Sequence, residues 1–160
     1  MGTCVVTGGA GFMGANRGRE LLSRPEIDEV VAFDDLSTGN RANLSGTDVT
    51  LVEATILNPD ALDRAFAGAD AVVHLGALPS VPRSVKDPLA SHHANATGTL
   101  EVLQAARRAG GVQVIVASSS SVYGANRELP KRESMRTAPL SPYAVSKQAT
   151  ESYALAFGHT

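Results

Sequence analysis

The chain has 160 residues, 43% hydrophobic and 19% charged, a composition typical of one folded domain over residues 1–160 rather than of a disordered segment. Lys and Arg total 14 against 16 Asp and Glu, and this formal charge of −2 argues against binding nucleic acid or a membrane surface through bulk charge. With Cys4 alone, no disulfide or metal site is expected, and the lack of a long apolar run or leader-like start predicts a soluble, cytoplasmic protein.

Strand-like and helix-like segments alternate along the chain. Short β-branched runs predict five strands, at residues 3–7, 29–33, 49–53, 71–75 and 112–117. Helical spacing and N-terminal signals predict four helices, at residues 12–24, 58–67, 87–108 and 141–157. The stretches around Pro79 and Pro82, and around Pro130 and Pro139, are predicted as loops. Such alternation predicts an α/β domain with a parallel sheet and helices on both faces.

The longest predicted helix carries an apolar stripe. Its members recur at helical spacing, so we expect one face of this helix to be buried in the core. The stripe consists of Leu89, Ala96, Leu100 and Leu103.

A glycine-rich loop follows the first predicted strand and opens the first helix. Gly8 permits a tight turn, Gly11 lets the backbone approach a pyrophosphate, and Gly14 lets the helix pack closely on the sheet. Asp34 ends the second strand, where a carboxylate suits the ribose hydroxyls of NAD and repels the 2′-phosphate of NADP. The alternative is an ordinary strand–turn–helix connection with a solvated acid, but the combination favours nucleotide binding.

A tyrosine and a lysine stand four residues apart at the start of the last helix. This spacing places Tyr143 and Lys147 on one helix face. A phenol is a poor base at neutral pH unless positive charge, here Lys147 and the helix N-terminus, favours its phenolate. Ser119, at the carboxyl end of the fifth strand, could hold a substrate oxygen, because ligands of open parallel sheets bind at that end.

These motifs, in this order, resemble the NAD-dependent epimerase/dehydratase family of the extended short-chain dehydrogenases/reductases, and its UDP-glucose 4-epimerase-like members in particular. The matching stretches are residues 7–14, 34–39, 74–77, 95–99, 118–124 and 141–147. The resemblance implies a Rossmann-type parallel sheet in the order 3-2-1-4-5, NAD as cofactor and a nucleotide-sugar substrate. Members of the family continue with a C-terminal sugar-nucleotide-binding part that is absent from these residues.

The resemblance also assigns roles to individual residues. It implies that Tyr143 accepts and returns a proton, that Lys147 holds the nicotinamide ribose, and that Ser119 binds the sugar C4 oxygen. The residues that match cofactor contacts are Gly8, Gly11, Phe12, Met13, Gly14, Asp34, Asp35, Thr55, Ile56, Leu75, Gly76, Ala77, Asn95, Tyr143 and Lys147. The residues that match substrate contacts are Ser84, Ser119 and Ser120.

The activity that the resemblance implies is 4-epimerisation of a UDP-glucose, UDP-N-acetylhexosamine or UDP-uronate substrate through transient oxidation at C4. Ser120 and Ser121 occupy the positions where dehydratase relatives carry Asp-Glu, which argues against 4,6-dehydration. Two alternatives stay open. One is an NAD-binding module without turnover, since the sugar-binding half is missing; the other is a reductase of a small carbonyl, against which Asn95 and residues 118–124 count.

The resemblance further implies a homodimer, in which residues 89–108 and 141–157 of two subunits form a four-helix bundle. Four residues depart from the family pattern. Arg17 stands where the family has an apolar residue facing the sheet, and Gly18 weakens the first helix by about 1 kcal/mol relative to alanine. Thr55 replaces an adenine-binding aspartate, and Gly76 replaces an alanine. His74, at the end of the fourth strand, is predicted to be a hydrogen-bonded structural residue rather than a metal ligand.

Overall fold

The computed structural model describes residues 2–159 and contains the five predicted strands. The strands are β1 (Gly2–Thr7), β2 (Ile27–Asp34), β3 (Thr50–Glu53), β4 (Ala71–His74) and β5 (Gln113–Val116). The helices are α1 (Phe12–Leu22), α2 (Pro59–Phe66), α3 (Val81–Lys86), α4 (Pro88–His92), α5 (Gly98–Arg108) and α6 (Pro142–Gly158). A π-helical segment, His93–Thr97, joins α4 to α5, and short 3-10 turns occupy Arg41–Leu44 and Ser120–Tyr123.

The five strands form one sheet, parallel throughout, in the order β3-β2-β1-β4-β5. Thr7 at the end of β1 lies between Phe33 of β2 and His74 of β4. The predicted fold class and strand order are therefore confirmed. Because all strands run the same way, their carboxyl ends meet along one edge, and the loops that follow them are neighbours.

The core lies on both faces of the sheet. Val5 of β1 packs with Phe66 of α2 and Val102 of α5, whereas Val6, pointing the other way, packs with Leu21 of α1. Alternate residues of each central strand are thus buried on opposite sides, which explains why the strands read as continuous apolar runs.

Side-chain caps fix the helix starts that the sequence predicted. Asn58, Asp87 and Ser141 each accept a hydrogen bond from the backbone N–H three residues further on, at 3.2, 3.0 and 3.1 Å. A proline follows each cap in the first helical turn, where its missing N–H costs no hydrogen bond. The start of α6 determines where Tyr143 and Lys147 lie.

The segment before the long helix differs from the prediction in two respects. Residues 81–86, expected as loop, form α3, whose N-cap Ser80 accepts from the backbone N–H of Arg83 at 3.2 Å. Leu89 is 69% exposed, so its predicted burial is wrong, whereas Ala96 and Leu103 are buried. The π segment lies between Leu89 and Leu103, and its wider turn rotates the side chains of α4 relative to those of α5.

The two unusual residues of α1 have structural explanations. Arg17 stays partly exposed and forms an ion pair with Glu20, so its charge is not buried alone. Gly18 is buried where an added Cβ would lie 3.2 Å from Val49, so the missing side chain makes room for that contact. Within residues 2–159, no helix combines the length and apolar character needed to cross a membrane.

Candidate functional site

A cavity of about 730 Å³ opens at the carboxyl edge of the sheet. Segments that follow each of the five strands contribute to its wall, together with the π segment and the first turns of α6. The predicted site residues that line it are Gly8, Gly11, Phe12, Met13, Gly14, Asp34, Asp35, Thr55, Ile56, Leu75, Gly76, Ala77, Tyr143 and Lys147. A cavity of this size, largely apolar with a few convergent polar groups, suits a small-molecule ligand.

Gly8 and Gly14 give the glycine loop its shape. Gly8 has φ +68°, and a Cβ there would lie 2.8 Å from the backbone nitrogen of Gly76, so the loop packs directly on the segment after β4. A Cβ on Gly14 would lie only 2.1 Å from the carbonyl oxygen of Gly8. Gly14 therefore brings α1 against the loop itself.

The contact between the glycine loop and the sheet is made by a different glycine from the one predicted. A Cβ on Gly9 would lie 2.5 Å from the Cβ of Ala32 in β2, so Gly9 is the glycine pressed on the sheet, where Gly14 was expected. At Gly11 the nearest atom to an added Cβ is the Gly8 oxygen, at 3.2 Å, and this glycine lines the cavity. Gly11 is thus the position where a side chain would narrow the site without disturbing the fold.

The first turn of α1 presents unused hydrogen-bond donors to the cavity. Within residues 2–159, no hydrogen bond occupies the backbone N–H groups of Phe12, Met13 and Gly14, and all three residues line the cavity. The first intrahelical bond runs from Ala15 to the carbonyl of Gly11, at 2.9 Å. Free N–H groups at a helix N-terminus, with its partial positive charge, form a binding site for a phosphate group.

Asp34 lies at the end of β2, where its carboxylate is held in a fixed orientation. The side chain is 8% exposed and accepts hydrogen bonds from the backbone N–H groups of Ala10, at 3.0 Å, and Leu36, at 2.8 Å. A Cβ on Gly39 would lie 2.7 Å from the carboxylate, so glycine is required beside it. Since a carboxylate accepts about four hydrogen bonds, Asp34 retains capacity for hydroxyl groups of a ligand.

Helix α6 places a cation in the cavity wall. Lys147 is 5% exposed, and no hydrogen bond to its ammonium group forms within the described part of the chain. Burial lowers the pKa of Lys147 below its usual range, and the charge of Glu151 partly offsets this effect. Tyr143, half-buried, lines the same cavity one helical turn away. An ammonium group without a partner is costly unless a ligand supplies one.

The serines at the end of β5 lie at the edge of the cavity. Ala117 and Ser118 line it, whereas the predicted catalytic residue Ser119 is the N-cap of the following 3-10 turn. Its Oγ accepts from the backbone N–H and the hydroxyl of Ser121, at 3.2 and 2.9 Å. The Ser119 hydroxyl proton is therefore free for another acceptor, and Ser120 is exposed beside it.

Four predicted site residues are not among those that line the cavity, namely Ser84, Asn95, Ser119 and Ser120. Asn95 is 1% exposed and bonds the backbone of Leu78 on both sides, accepting from its N–H at 2.7 Å and donating to its carbonyl at 3.1 Å. Asn95 thus holds the loop behind the cavity. Ser84 is fully buried, with its hydroxyl bonded to the carbonyl of Val81 at 2.8 Å, so it does not face a ligand.

His74 is a structural residue, as predicted. It is 2% exposed, and its ring nitrogens bond the hydroxyls of Thr7 and Thr99 at 2.6 and 3.1 Å. Burial lowers the pKa of His74 to about 3, and the nearby charge of Lys147 adds to this effect. The imidazole is therefore neutral at physiological pH.

Sequence reasoning missed part of the cavity wall. The additional lining residues are Phe33, Ser37, Thr38, Ala54, Leu57, Leu78, Pro79, Ala90, His93, Ala94, Ala117 and Ser118. Ser37 and Thr38 lie two and three residues after the acidic pair Asp34-Asp35, and this proximity could have identified them. Ala90, His93 and Ala94 reach the cavity from the segment around the π turn, for which the sequence carries no comparable signal.

The chain is similar to known nucleotide-sugar enzymes. It is 39% identical over 149 residues to the UDP-glucose 4-epimerase of Azospirillum brasilense, covering 92% of this chain and 42% of that protein. The solved UDP-N-acetylglucosamine 4-epimerase of Methanobrevibacter ruminantium M1 is 34% identical, with a TM-score of 0.91 over 99% of this chain and 51% of its own. A dTDP-glucose 4,6-dehydratase from Streptomyces venezuelae, solved with NAD, is 37% identical, with a TM-score of 0.92 over 99% of this chain and 52% of its own.

The chain spans about half the length of these relatives. A family model described as the NAD dependent epimerase/dehydratase family matches residues 4–160, so the resemblance inferred from the motifs is confirmed, with NAD as the cofactor of the family. The chain with this glycine loop, acid and Tyr143–Lys147 pair belongs to the NAD dependent epimerase/dehydratase family.

Proposed function

We propose that residues 1–160 form the NAD-binding and proton-transfer half of a nucleotide-sugar 4-epimerase. The observation that carries this proposal is a single cavity with three complementary features. These are the free N–H groups at the start of α1, the carboxylate of Asp34, and the unpaired ammonium group of Lys147. The phosphates of a dinucleotide suit the N–H groups, the hydroxyls of one ribose suit the carboxylate, and the second ribose suits the ammonium group.

The residues present fit NAD. The open space at Gly11 and the free N–H groups of residues 12–14 suit the pyrophosphate, since a Cβ at position 11 would occupy that side of the loop. The Asp34 carboxylate suits ribose hydroxyls, and its charge disfavours the 2′-phosphate of NADP. Thr55 and Ile56 line the part of the cavity next to β3, where we propose that the adenine binds.

The chain's own residues would handle the proton. Bound NAD supplies the hydride acceptor for oxidation at C4 of the sugar. Tyr143 takes the hydroxyl proton as the substrate is oxidised and returns it on reduction, while the cation of Lys147 favours its phenolate form. Ser119 donates its free hydroxyl proton to the reacting oxygen, because both bonds from Ser121 use its lone pairs.

We propose epimerisation rather than 4,6-dehydration as the reaction, although relatives of both kinds are similar to the chain. Dehydratase chemistry requires an acid and a base after the catalytic hydroxyl residue, and this chain has Ser120 and Ser121 there. Hydroxyl groups of ordinary pKa cannot exchange the second pair of protons that dehydration demands. Ser120, exposed next to Ser119, is the substrate contact that we propose; Ser84 would have to leave its buried position to act as one.

NAD binding without turnover is the second candidate for the 160 residues taken alone. It is favoured by the coverage of the relatives, of which the matched part is about half. The residues that follow the matched part in those proteins have no counterpart among these 160. In this case the cavity binds the cofactor, and substrate binding requires groups that the chain does not contain.

The test combines binding with turnover. Calorimetry should detect NAD binding to the 160-residue chain, about tenfold weaker for Asp34→Asn, which loses one charge but keeps an acceptor for a backbone N–H. Tyr143→Phe is the matched control and should bind NAD with nearly unchanged affinity. Absence of NAD binding to the unmodified chain would refute the whole proposal.

Turnover is then followed by NMR with UDP-galactose and, separately, UDP-N-acetylgalactosamine. Epimer formation that Tyr143→Phe abolishes would establish the epimerase. NAD binding without product from either sugar would establish the cofactor-binding module instead. A 4-keto-6-deoxy product from a dTDP-glucose control would overturn the argument from Ser120 and Ser121.

A further inference from the structure

A chain of buried hydrogen bonds runs behind the cavity, from the end of the sheet to α6. The backbone N–H of Gly76 donates to Thr7 Oγ1 at 3.1 Å, and Thr7 Oγ1 lies 2.6 Å from His74 Nδ1. On the other side of the ring, His74 Nε2 lies 3.1 Å from Thr99 Oγ1, which lies 3.1 Å from Thr150 Oγ1 on α6. The four side chains are each at most 2% exposed.

The protons from Thr7 to Thr99 can be placed in one consistent way, and the Thr150 hydroxyl proton is shared between Thr99 Oγ1, at 3.1 Å, and the carbonyl of Ser146, at 3.2 Å. The hydroxyl of Thr99 donates to the carbonyl of Asn95 at 2.6 Å, so its oxygen must accept from the histidine. The proton of His74 therefore lies on Nε2, and Nδ1 accepts from the hydroxyl of Thr7. In this tautomer, every ring nitrogen and hydroxyl from Thr7 to Thr99 is satisfied. A protonated ring would have two donors and would conflict with the donor from Thr7.

The chain of bonds from Thr7 to Thr150 forms one bridge to α6, and a second bridge runs beside it. The Asn95 amide, besides holding Leu78, donates to Ser146 Oγ at 2.9 Å, and the Ser146 hydroxyl donates to the carbonyl of Tyr143 at 2.7 Å. Ser146 and Thr150 lie one turn apart on α6, on either side of Lys147 in sequence. The two bridges thus hold the segment of α6 that carries both proposed catalytic side chains.

We propose that His74 is a positioning residue, which through Thr99 and Thr150 holds α6 at a fixed distance from the Gly76 wall of the cavity. This proposal rests on the NAD binding proposed above. Gly76, which is bonded to the buried Thr7, and the pair Tyr143 and Lys147 all line the cavity, so we infer that the length of the chain of bonds sets the distance between these two parts of the wall. A ligand that bridges both sides binds best when that width is already correct.

The arrangement predicts that the Thr99 hydroxyl is required for more than stability. Thr99→Val keeps the shape of the side chain but removes the acceptor for His74 and the partner of Thr150. Helix α6 would then occupy a range of positions, part of the NAD binding energy would be needed to return it, and the apparent affinity would fall. Lys147 already lines the cavity, and a less constrained α6 would expose its ammonium group further, so its lowered pKa would rise toward its usual value.

The experiment compares Thr99→Val with Thr99→Ser, which restores the hydroxyl, and with Val102→Ala as a matched control. Val102 is fully buried on the same helix, and its truncation destabilises the core without touching the chain of bonds. We expect Thr99→Val to bind NAD about tenfold more weakly than the unmodified chain, and Thr99→Ser and Val102→Ala to remain within about twofold of it. Equal NAD affinity of Thr99→Val and Val102→Ala, in protein that is folded by circular dichroism, would overturn the proposal.

The Lys147 ammonium group gives a readout that needs no cofactor. The chain has three lysines, so carbon-13 labelling at Cε yields three signals that can be assigned and titrated by NMR. The Lys147 signal should titrate at higher pH in Thr99→Val than in Thr99→Ser or Val102→Ala. If NAD fails to bind the unmodified chain but this difference is found, the proposed function is refuted and the positioning of α6 stands. If all variants titrate alike, the positioning proposal is refuted.

A pair of substitutions at the histidine tests the direction of the effect. A glutamine amide reaches the position of Nε2 and can still donate to Thr99, whereas an asparagine amide reaches only the position of Nδ1. His74→Gln should therefore retain NAD affinity better than His74→Asn. The reverse order would mean that the link to Thr7 within the sheet is the one that matters, which contradicts a role in holding α6.

Discussion

Replacing Gly14 by alanine tests whether the glycines of the loop have separate packing and binding roles. A Cβ at this position would lie 2.1 Å from the Gly8 oxygen and 2.7 Å from the Gly9 Cα, both backbone atoms that cannot rotate away. Restoring ordinary contact distances requires the loop and α1 to separate by about 1 Å, an overpacking that costs about 3 kcal/mol. The helix propensity of alanine returns about 1 kcal/mol, so the net loss of unfolding free energy is about 2 kcal/mol.

For a chain of this length, that loss lowers Tm by about 4–8 °C. Gly11→Ala is the matched control, since its Cβ meets only the Gly8 oxygen, at 3.2 Å, and otherwise points into the cavity. It exchanges one N-cap residue for a poorer one and should cost less than about 1 kcal/mol, while NAD affinity falls at least about tenfold. Thermal melts by circular dichroism measure the first effect and calorimetry with NAD the second.

The reasoning is refuted if Gly14→Ala melts within 1 °C or so of the unmodified chain, because the distance to the Gly8 oxygen would then be compatible with a side chain. It is also refuted if Gly11→Ala binds NAD with unchanged affinity, because the open space at Gly11 would then not be where the ligand lies. Both variants should keep the far-ultraviolet spectrum of the unmodified chain.

Three further predictions concern charge and assembly. Lys147→Met should raise Tm at pH 7 and weaken NAD binding, because it removes a buried cation. The pKa of Lys147 is lowered in the folded state, so the stability of the unmodified chain rises with pH. The difference in Tm between variant and unmodified chain should therefore shrink toward about pH 10. His74 should remain neutral in nitrogen-15 NMR down to about pH 3. Because the histidine of the unfolded chain is protonated at higher pH, the free energy of unfolding should decrease as the pH falls from about 6.5 to about 3. This dependence on pH should be weaker in His74→Gln. Light scattering should find a dimer that Leu89→Asp dissociates, since Leu89 and Leu155 are 69% and 65% exposed; a monomeric unmodified chain would contradict the expected pairing.

The fold could be predicted from the sequence because local rules and tertiary packing agree. The strands are buried on both faces, so they appear as short β-branched runs, and the helices begin at Asn58, Asp87 and Ser141, each followed by proline. The exception is the segment around Leu89, where a π turn breaks the spacing on which the buried stripe was predicted. Such a turn depends on contacts with the rest of the fold, here the bonds from Asn95 to Leu78.

The residues of the candidate site likewise fall into those that the sequence identifies and those whose position depends on tertiary packing. Gly8, Gly11, Asp34, Tyr143 and Lys147 could be identified because backbone geometry and acid–base chemistry demand those residue types at those positions. Their common cavity follows from the parallel sheet alone. The placements of the remaining predicted residues, buried Ser84 among them, depend on how each side chain packs, and sequence spacing carries no information on that.

The sequence by itself therefore determined the alternation of the five strands with the main helices, the cofactor class of the family and most of the predicted residues that line the cavity. These depend on short-range spacing, turn chemistry and the fixed direction of strands in a parallel sheet. Only the tertiary structure decided which glycine touches the sheet, how Lys147 is left without a partner, and how His74 links β4 to α6 through Thr99. Those contacts join residues 23 to 67 positions apart in the chain, and their distances are set by the packing of whole helices on the sheet.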